Sequence, residues 1–264
     1  NQSRNPSVEE RESLIHELHS RIDNADPSLS PAELSLLAIR IGEKHASATD
    51  PFHELKRKNN QLALALLPEL KQRITTSSNP LHLACQLAAC GNIIDLGIHD
   101  DFNIHATIEK VIREGFRRDD FSAFDQDCQQ FHQSKERPSI LYICDNAGEI
   151  VFDRLFIEEI LRIYPRFQIT AVVRGIPVLN DAILEDAQET GLTEIVQVID
   201  NGNSELGTVW EKTGTQFQEF YRHADLIVSK GQANYETLQG RPENIYFILK
   251  AKCEVIAASL EVQL

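Results

Sequence analysis

The stretch Ser139 to Asp153, SILYICDNAGEIVFD, constrains this chain more than any other. A short run of apolar and β-favouring residues ends at Asp145-Asn146. Beyond Ala147-Gly148-Glu149, the apolar residues Ile150, Val151, Leu155, Ile157 and Leu161 recur at helical spacing. The pattern predicts a buried strand, a tight turn and a helix. In open α/β sheets ligands collect at the carboxyl ends of strands, where the N–H groups of a helix start favour anions. Oxygen donors at such a corner suit a hard metal ion or a phosphate.

The two sides of this stretch read differently. Residues 1–135 are helix after helix. Ser7-Val8-Glu9-Glu10 resembles a capping box ahead of Leu14, Ile15, Leu18 and Ile22, and Ser30-Pro31-Ala32-Glu33 is a second box with Pro in the first turn. Further helices are expected over about 52–74, 80–90, 104–116 and 119–133. After Lys135-Glu136-Arg137-Pro138, apolar runs near 139–144, 167–173, 195–199, 225–229 and 245–250 alternate with helical stretches. That alternation implies a mostly parallel sheet covered on both faces, within a chain of two lobes. The strands end in polar groups: Asp145-Asn146, Arg174-Gly175, Asp200-Asn201-Gly202, Ser229-Lys230-Gly231 and Lys250-Ala251-Lys252. Strand ends on one edge gather such groups into one crevice.

Charge narrows the partners. Asp plus Glu number 40 against 26 Lys plus Arg, a net charge of −14. Such a surface repels the nucleic-acid backbone, so a bound anion has to be met by local cations. No apolar run approaches the ~20 residues of a membrane span, and no signal-like segment leads the chain, so the expected location is cytoplasmic. The five cysteines lack paired spacing, which argues for buried thiols rather than disulfides or a zinc ribbon.

Several motifs have both a plain and a functional reading. Asp145-Asn146 suits an ordinary turn, and Asp181, at the end of Val178-Leu179-Asn180-Asp181 and before a helix expected over Ala182 to Ala187, suits an N-cap. Adjacent parallel strands would nevertheless bring Asp145, Asn146 and Asp181 together, and two carboxylates plus an amide oxygen fit a hard divalent cation. The nine histidines are scattered without ligand spacing, which favours magnesium or manganese over zinc. Ser229-Lys230-Gly231 could form an anion nest with Lys230 adding charge, although the P-loop spacing is missing and no strand is followed by GxGxxG. Lys250 and Lys252, beside Cys253, are surface lysines or phosphate partners, and Arg174 could clamp the same phosphate by two hydrogen bonds. Gly91-Asn92-Ile93-Ile94-Asp95 is either a pair of helix caps or a loop closing over the crevice.

Taken together, DPFHELK (50–56), GNIIDLG (91–97), DNAGEIVFD (145–153), VRGIPVLNDAILEDA (173–187), ADLIVSKGQANYETL (224–238) and LKAKCEVIA (249–257) resemble one family. It is the metal-dependent damage-control phosphatases, long known only as a domain of unknown function. The compact length looks like the branch of archaea and bacteria that is also fused to some eukaryotic pantothenate kinases. The resemblance implies an α/β fold in which a helical N-terminal lobe, 1–135, packs on a Rossmann-like three-layer lobe, 136–264. It implies a divalent cation (Mg, Mn, Co or Ni) held by Asp145, Asn146 and Asp181, and hydrolysis of phosphate monoesters of small metabolites. Asn92, Asp95, Glu149, Arg174, Asn201 and Lys230 are then expected around the substrate, with Lys252 joining the three metal ligands in catalysis. Water or Asp145 could be the nucleophile.

Two other functions stay open. One is a methyl-donor-dependent carboxyl methyltransferase, disfavoured by the missing glycine-rich loop after the first strand. The other is a non-catalytic binder of a phosphorylated metabolite, which would not need three metal ligands.

Overall fold

The computed structural model describes residues 7–26, 29, 31–43, 50–90 and 104–262. Among the described residues six helices come first: α1 (Val8–Asp23), α2 (Pro31–Glu43), α3 (His53–Thr76), α4 (Pro80–Cys90), α5 (Ile104–Glu114) and α6 (Phe121–Ser134). The Ser7 box forms, with the Glu10 N–H donating to Ser7 Oγ at 3.2 Å and the Ser7 N–H to Glu10 Oε2 at 2.6 Å. Ser30, the cap of the second box, lies outside the described residues.

Strands and helices then alternate: β1 (Ser139–Ile143), α7 (Glu149–Ile163), β2 (Gln168–Val173), α8 (Leu184–Glu189), β3 (Gln197–Asp200), α9 (Thr215–His223), β4 (Leu226–Lys230), α10 (Gln232–Leu238), β5 (Ile245–Ile248) and α11 (Glu254–Ser259). The sheet order is β3-β2-β1-β4-β5, and every neighbouring pair is parallel. Chain progression reverses between β1 and β4, so the crevice for a ligand is expected past Ile143, opposite Ser229.

Side-chain alternation sends each strand into two layers. Ile140, Tyr142 and Cys144, with Leu226 and Val228, face α7, and behind it Leu81, Ala84 and Leu87 of α4, Leu66, Leu70 and Ile74 of α3, and Phe124 of α6. Leu141, Ile143 and Ile227 face the other way, onto Phe217 and Tyr221 of α9 and Leu238 of α10. The first core is continuous from the N-terminal helices to the sheet. Phe124 and Phe156 meet inside it with ring centroids 5.6 Å apart, and burying each such side chain contributes about 1.5–3 kcal/mol. Cys85, Cys90, Cys128 and Cys144 are buried thiols as expected. Burial pushes the Cys90 thiol up to about 12 against the pull of Lys230.

One expected boundary moves. The helix expected from Ala182 starts at Leu184, because Asp181 and Ile183 are held by isolated bridges to Asn146 and Arg174. Asp181 is therefore not an N-cap.

Candidate active site

The corner past β1 and β4 is built by close approach of backbone. Gly231 follows β4 with φ +83°, and a Cβ placed there would sit 2.1 Å from Asp145 Oδ2. Only glycine lets the two strand ends close around that carboxylate. On the other flank, the loop after β2 is laced to the end of β1. The Ala147 N–H donates to Asn180 O at 2.9 Å, the Ala182 N–H to Asp145 O at 2.8 Å, and the Arg174 N–H to Ala182 O at 2.8 Å. This lacing sets Asp181 directly opposite Asn146 in an antiparallel bridge. Leu179, at φ +45°, takes the left-handed backbone that lets the loop turn back.

Side chains complete the corner. Asn146 Nδ2 donates to Asp145 Oδ2 at 2.8 Å and to Glu149 Oε2 at 3.2 Å, so the amide oxygen is turned away from both carboxylates. Arg174 donates through Nε to Asp181 Oδ2 at 2.6 Å, through Nη1 to Gly207 O, and through Nη2 to Asn234 Oδ1 at 3.3 Å. Lys230 Nζ donates to Glu149 Oε1 and Asp153 Oδ1 at 2.6 Å each and to Ala88 O at 2.8 Å. Asp145, Glu149, Asp153 and Asp181 are all buried, against the buried cations Lys230 and Arg174. Four carboxyl groups face these two cations, and only with all four ionised would the set carry two negative charges in excess. Burial, then Glu149 and Asp181, raises the Asp145 carboxyl well above its ordinary value. Asp181 is raised as well, by burial against the pull of Arg174.

The sites expected from the sequence separate into two groups. Asp145, Asn146 and Asp181 come together, and Lys252 is exposed at the rim, where its charge pulls the Asp145 carboxyl down. Arg174 orients Asp181 instead of standing open as a bidentate phosphate clamp. Three residues expected around the substrate are engaged within the protein itself. Lys230 is 0% exposed and all three of its N–H donors are engaged. Glu149 lies between Lys230 and Asn146, with both oxygens bonded. Asn201 is buried and accepts through Oδ1 from the Gly175 N–H at 3.1 Å and the Asn203 N–H at 3.2 Å, which shapes a loop. Asn92 and Asp95 lie outside the described residues.

Known proteins bear on what such a corner belongs to. The family model of the damage-control phosphatase ARMT1-like domain matches residues 1–264. The chain belongs to this family. A damage-control phosphatase of Pyrococcus horikoshii is 32% identical over 242 residues, 91% of this chain and 79% of that protein. Another, from Archaeoglobus fulgidus, is 33% identical over 215 residues, 81% of this chain and 73% of that protein. An uncharacterized protein of Methanocaldococcus jannaschii is 37% identical over 242 residues, 89% and 78% of the two chains. The crystal structure of a DUF89 family protein from P. horikoshii superposes with a TM-score of 0.85 at 28% identity, covering 98% of this chain and 88% of that one.

In this damage-control phosphatase, α3 supplies a buttress that the sequence did not announce. Asn60 Oδ1 accepts from the Gly148 N–H at 2.7 Å, while its Nδ2 donates to Asp186 Oδ1 and Glu189 Oε2 at 2.9 Å each. The N–H expected to greet an anion at the start of α7 is thus taken by an amide from the N-terminal helices. Lys56 sits beside it, paired with Asp50 at 2.7 Å and Asp186 at 3.5 Å. The available signal was the Asn59-Asn60 pair itself, since asparagine is a poor choice for the middle of a 24-residue helix. Asn60→Ala strands the buried Gly148 N–H and is expected to cost about 1–3 kcal/mol in chemical denaturation. An unchanged denaturation midpoint would show that the buttress does not matter.

Proposed function

We propose that this chain is a divalent-cation-dependent phosphatase that hydrolyses phosphate monoesters of small metabolites, sugar phosphates or damaged phosphorylated intermediates among them. The observation that carries the reading is the backbone bridge between Asn146 and Asp181. It brings the Asp145 and Asp181 carboxyls, both with raised pKa, and the Asn146 side chain to one buried corner where four carboxyl groups stand against Lys230 and Arg174. Among the described residues no group of three or more His, Cys, Asp or Glu is gathered as a metal cage, and a set of two carboxylates and an amide is the alternative that a hard cation accepts.

Asp145, Asn146 through Oδ1, and Asp181 would hold the cation, with magnesium, manganese, cobalt or nickel all suited to oxygen donors. When bound, such a cation polarises a phosphoryl oxygen and makes a bound water more acidic. The chain's own groups do the remainder. Arg174 fixes the Asp181 carboxylate by its Nε hydrogen bond. Lys252, exposed at the rim, meets the negative charge of an arriving phosphate and offsets charge that grows on it during transfer. The strand ends, closed by Gly231, keep bulk water from Asp145. The phosphatase names of the Pyrococcus and Archaeoglobus relatives support the same reaction class. No helix among the described residues is long and apolar enough to cross a membrane, and the net charge of −14 disfavours nucleic acid as a partner.

Hydrolysis of an aryl phosphate, measured after chelator treatment and single resupply of Mg, Mn, Co or Ni, tests the proposal. Turnover is expected to vanish with chelator and to return with at least one of the four. A folded protein that stays inactive with every one of them would overturn it.

A further inference from the structure

Cation binding and phosphate contact leave one buried cluster unused. Lys230 Nζ, 0% exposed, joins Glu149 Oε1, Asp153 Oδ1 and Ala88 O. Asp153, also 0% exposed, receives a second hydrogen bond on the same oxygen from Tyr142 Oη at 2.8 Å. Glu149 then accepts from Asn146 Nδ2. A path of hydrogen bonds runs from the middle of β1, through α7 and the end of β4, to the amide of Asn146.

The position of that path is set by strand parity. Lys230 lies on the β4 face that carries Leu226 and Val228, and Tyr142 lies on the matching face of β1 with Ile140. Both therefore enter the layer of α7 and α4 rather than the open crevice. An ammonium with three filled donor positions has one orientation, and it fixes Glu149 in turn. Glu149 and Asp145 both present acceptors to Asn146, so the NH2 end of the amide turns to them and the oxygen is left pointing away from both. Without an acceptor at Glu149 the amide is held by Asp145 alone and can rotate about its last torsion, which is broad for Asn.

We propose that Lys230 and Asp153 are positioning residues that aim Glu149 at Asn146 and thereby turn the Asn146 amide oxygen toward the cation site. This rests on the metal-phosphatase reading and assigns Lys230 a role different from phosphate contact. Groups behind a metal ligand that fix its orientation typically change affinity by about 10–100-fold when removed.

Charge alone predicts something else, which makes the proposal testable. The double variant Lys230→Met/Asp153→Asn removes one positive and one negative charge, leaves the local total unchanged, and avoids an unpaired lysine partner at Asp153. A pure charge effect leaves cation affinity as it was, and deletion of lysine alone, in Lys230→Met, would strengthen it. Positioning predicts that both variants bind Mn2+ about 10–100-fold more weakly, with kcat at saturating cation falling more than KM rises. Calorimetric titration of chelator-stripped protein with Mn2+, without substrate, gives the affinity directly. Circular dichroism of the same samples confirms folding. Should the single variant fail to fold, the double variant decides, because it leaves one buried carboxylate, Glu149, without its cation where the single variant leaves two; Tyr142→Phe, a smaller change on the same path, should weaken Mn2+ in the same direction. Wild-type affinity in the folded double variant and in Tyr142→Phe overturns the positioning role alone. A wild-type protein that binds no Mn2+, Mg2+, Co2+ or Ni2+ overturns the metal reading itself, and the proposal with it.

Discussion

Asp145→Asn is expected to lower cation-dependent phosphate-ester turnover by about 10³-fold while raising the melting temperature of the cation-free protein. The two effects share one cause. Burial, Glu149 and Asp181 hold the Asp145 carboxyl well above its ordinary range, with Arg174 and Lys252 pulling the other way. A carboxyl whose pKa rises on folding favours the folded state when protonated and works against it when ionised. At neutral pH the asparagine removes that penalty and keeps an oxygen to accept from Asn146 Nδ2. The stability gain should be fully present above the raised value and fade as pH falls toward 3.8, the reference value for an aspartate. A gain of each kcal/mol corresponds to about 2–4 °C for a chain of this size. Thermal melts with chelator at several pH values, beside turnover with added metal, check both halves. Full turnover in the variant, or a lower cation-free melting temperature at neutral pH, would remove Asp145 from the site.

Gly231→Ala is the second large effect, and it acts by crowding the Asp145 carboxylate rather than by removing a donor atom. The new methyl would lie 2.1 Å from Asp145 Oδ2 and 2.2 Å from its Cγ, so either the carboxylate or the β4 end must move. A displacement of roughly 1 Å at a reacting group can cost about 10²-fold in rate. The backbone adds strain of about 1–3 kcal/mol for a residue with Cβ, since φ +83° with ψ 158° is a region essentially reserved for glycine. Gly240→Ala separates the two contributions, since Gly240 has φ +81° and a methyl added there would meet nothing within 4 Å. It should lose stability by the strain alone and keep its turnover. Equal activity in the two variants would mean that the Asp145 contact is relieved at no cost.

The elements with strong periodicity were legible from the chain. The strand runs near 139–144, 167–173 and 225–229 became β1, β2 and β4 within a residue or two, because apolar segments flanked by turn residues have few other uses in a protein of this size. The convergence of Asp145, Asn146 and Asp181 was legible too, since strand ends on one edge of a parallel sheet must share a crevice. The direction of Lys230 was not. A lysine at a strand end can project to either face, and only the sheet order, with a helix layer on each side, shows that it shares a face with Val228. Asn60 was hidden for a different reason. Its partners Gly148, Asp186 and Glu189 lie 88 or more positions away, and no local pattern records a contact at that distance. Asp181 shows the opposite error of scale, where the local N-cap reading was reasonable and a long-range backbone bridge displaced the helix start to Leu184.

The two ties from the N-terminal helices to the corner have a consequence for how the chain reaches its working state. Asn60 meets Gly148 across a separation of 88 residues, and Lys230 meets Ala88 across 142. During synthesis α3 and α4 leave the ribosome well before β1, and their apolar faces wait for α7 to arrive. Contacts of such separation close late and slowly, since the loop entropy has to be met before they reward the chain. The corner therefore depends on contacts that need most of the chain, and until β4 has been made Lys230 and the charge cluster around it are missing.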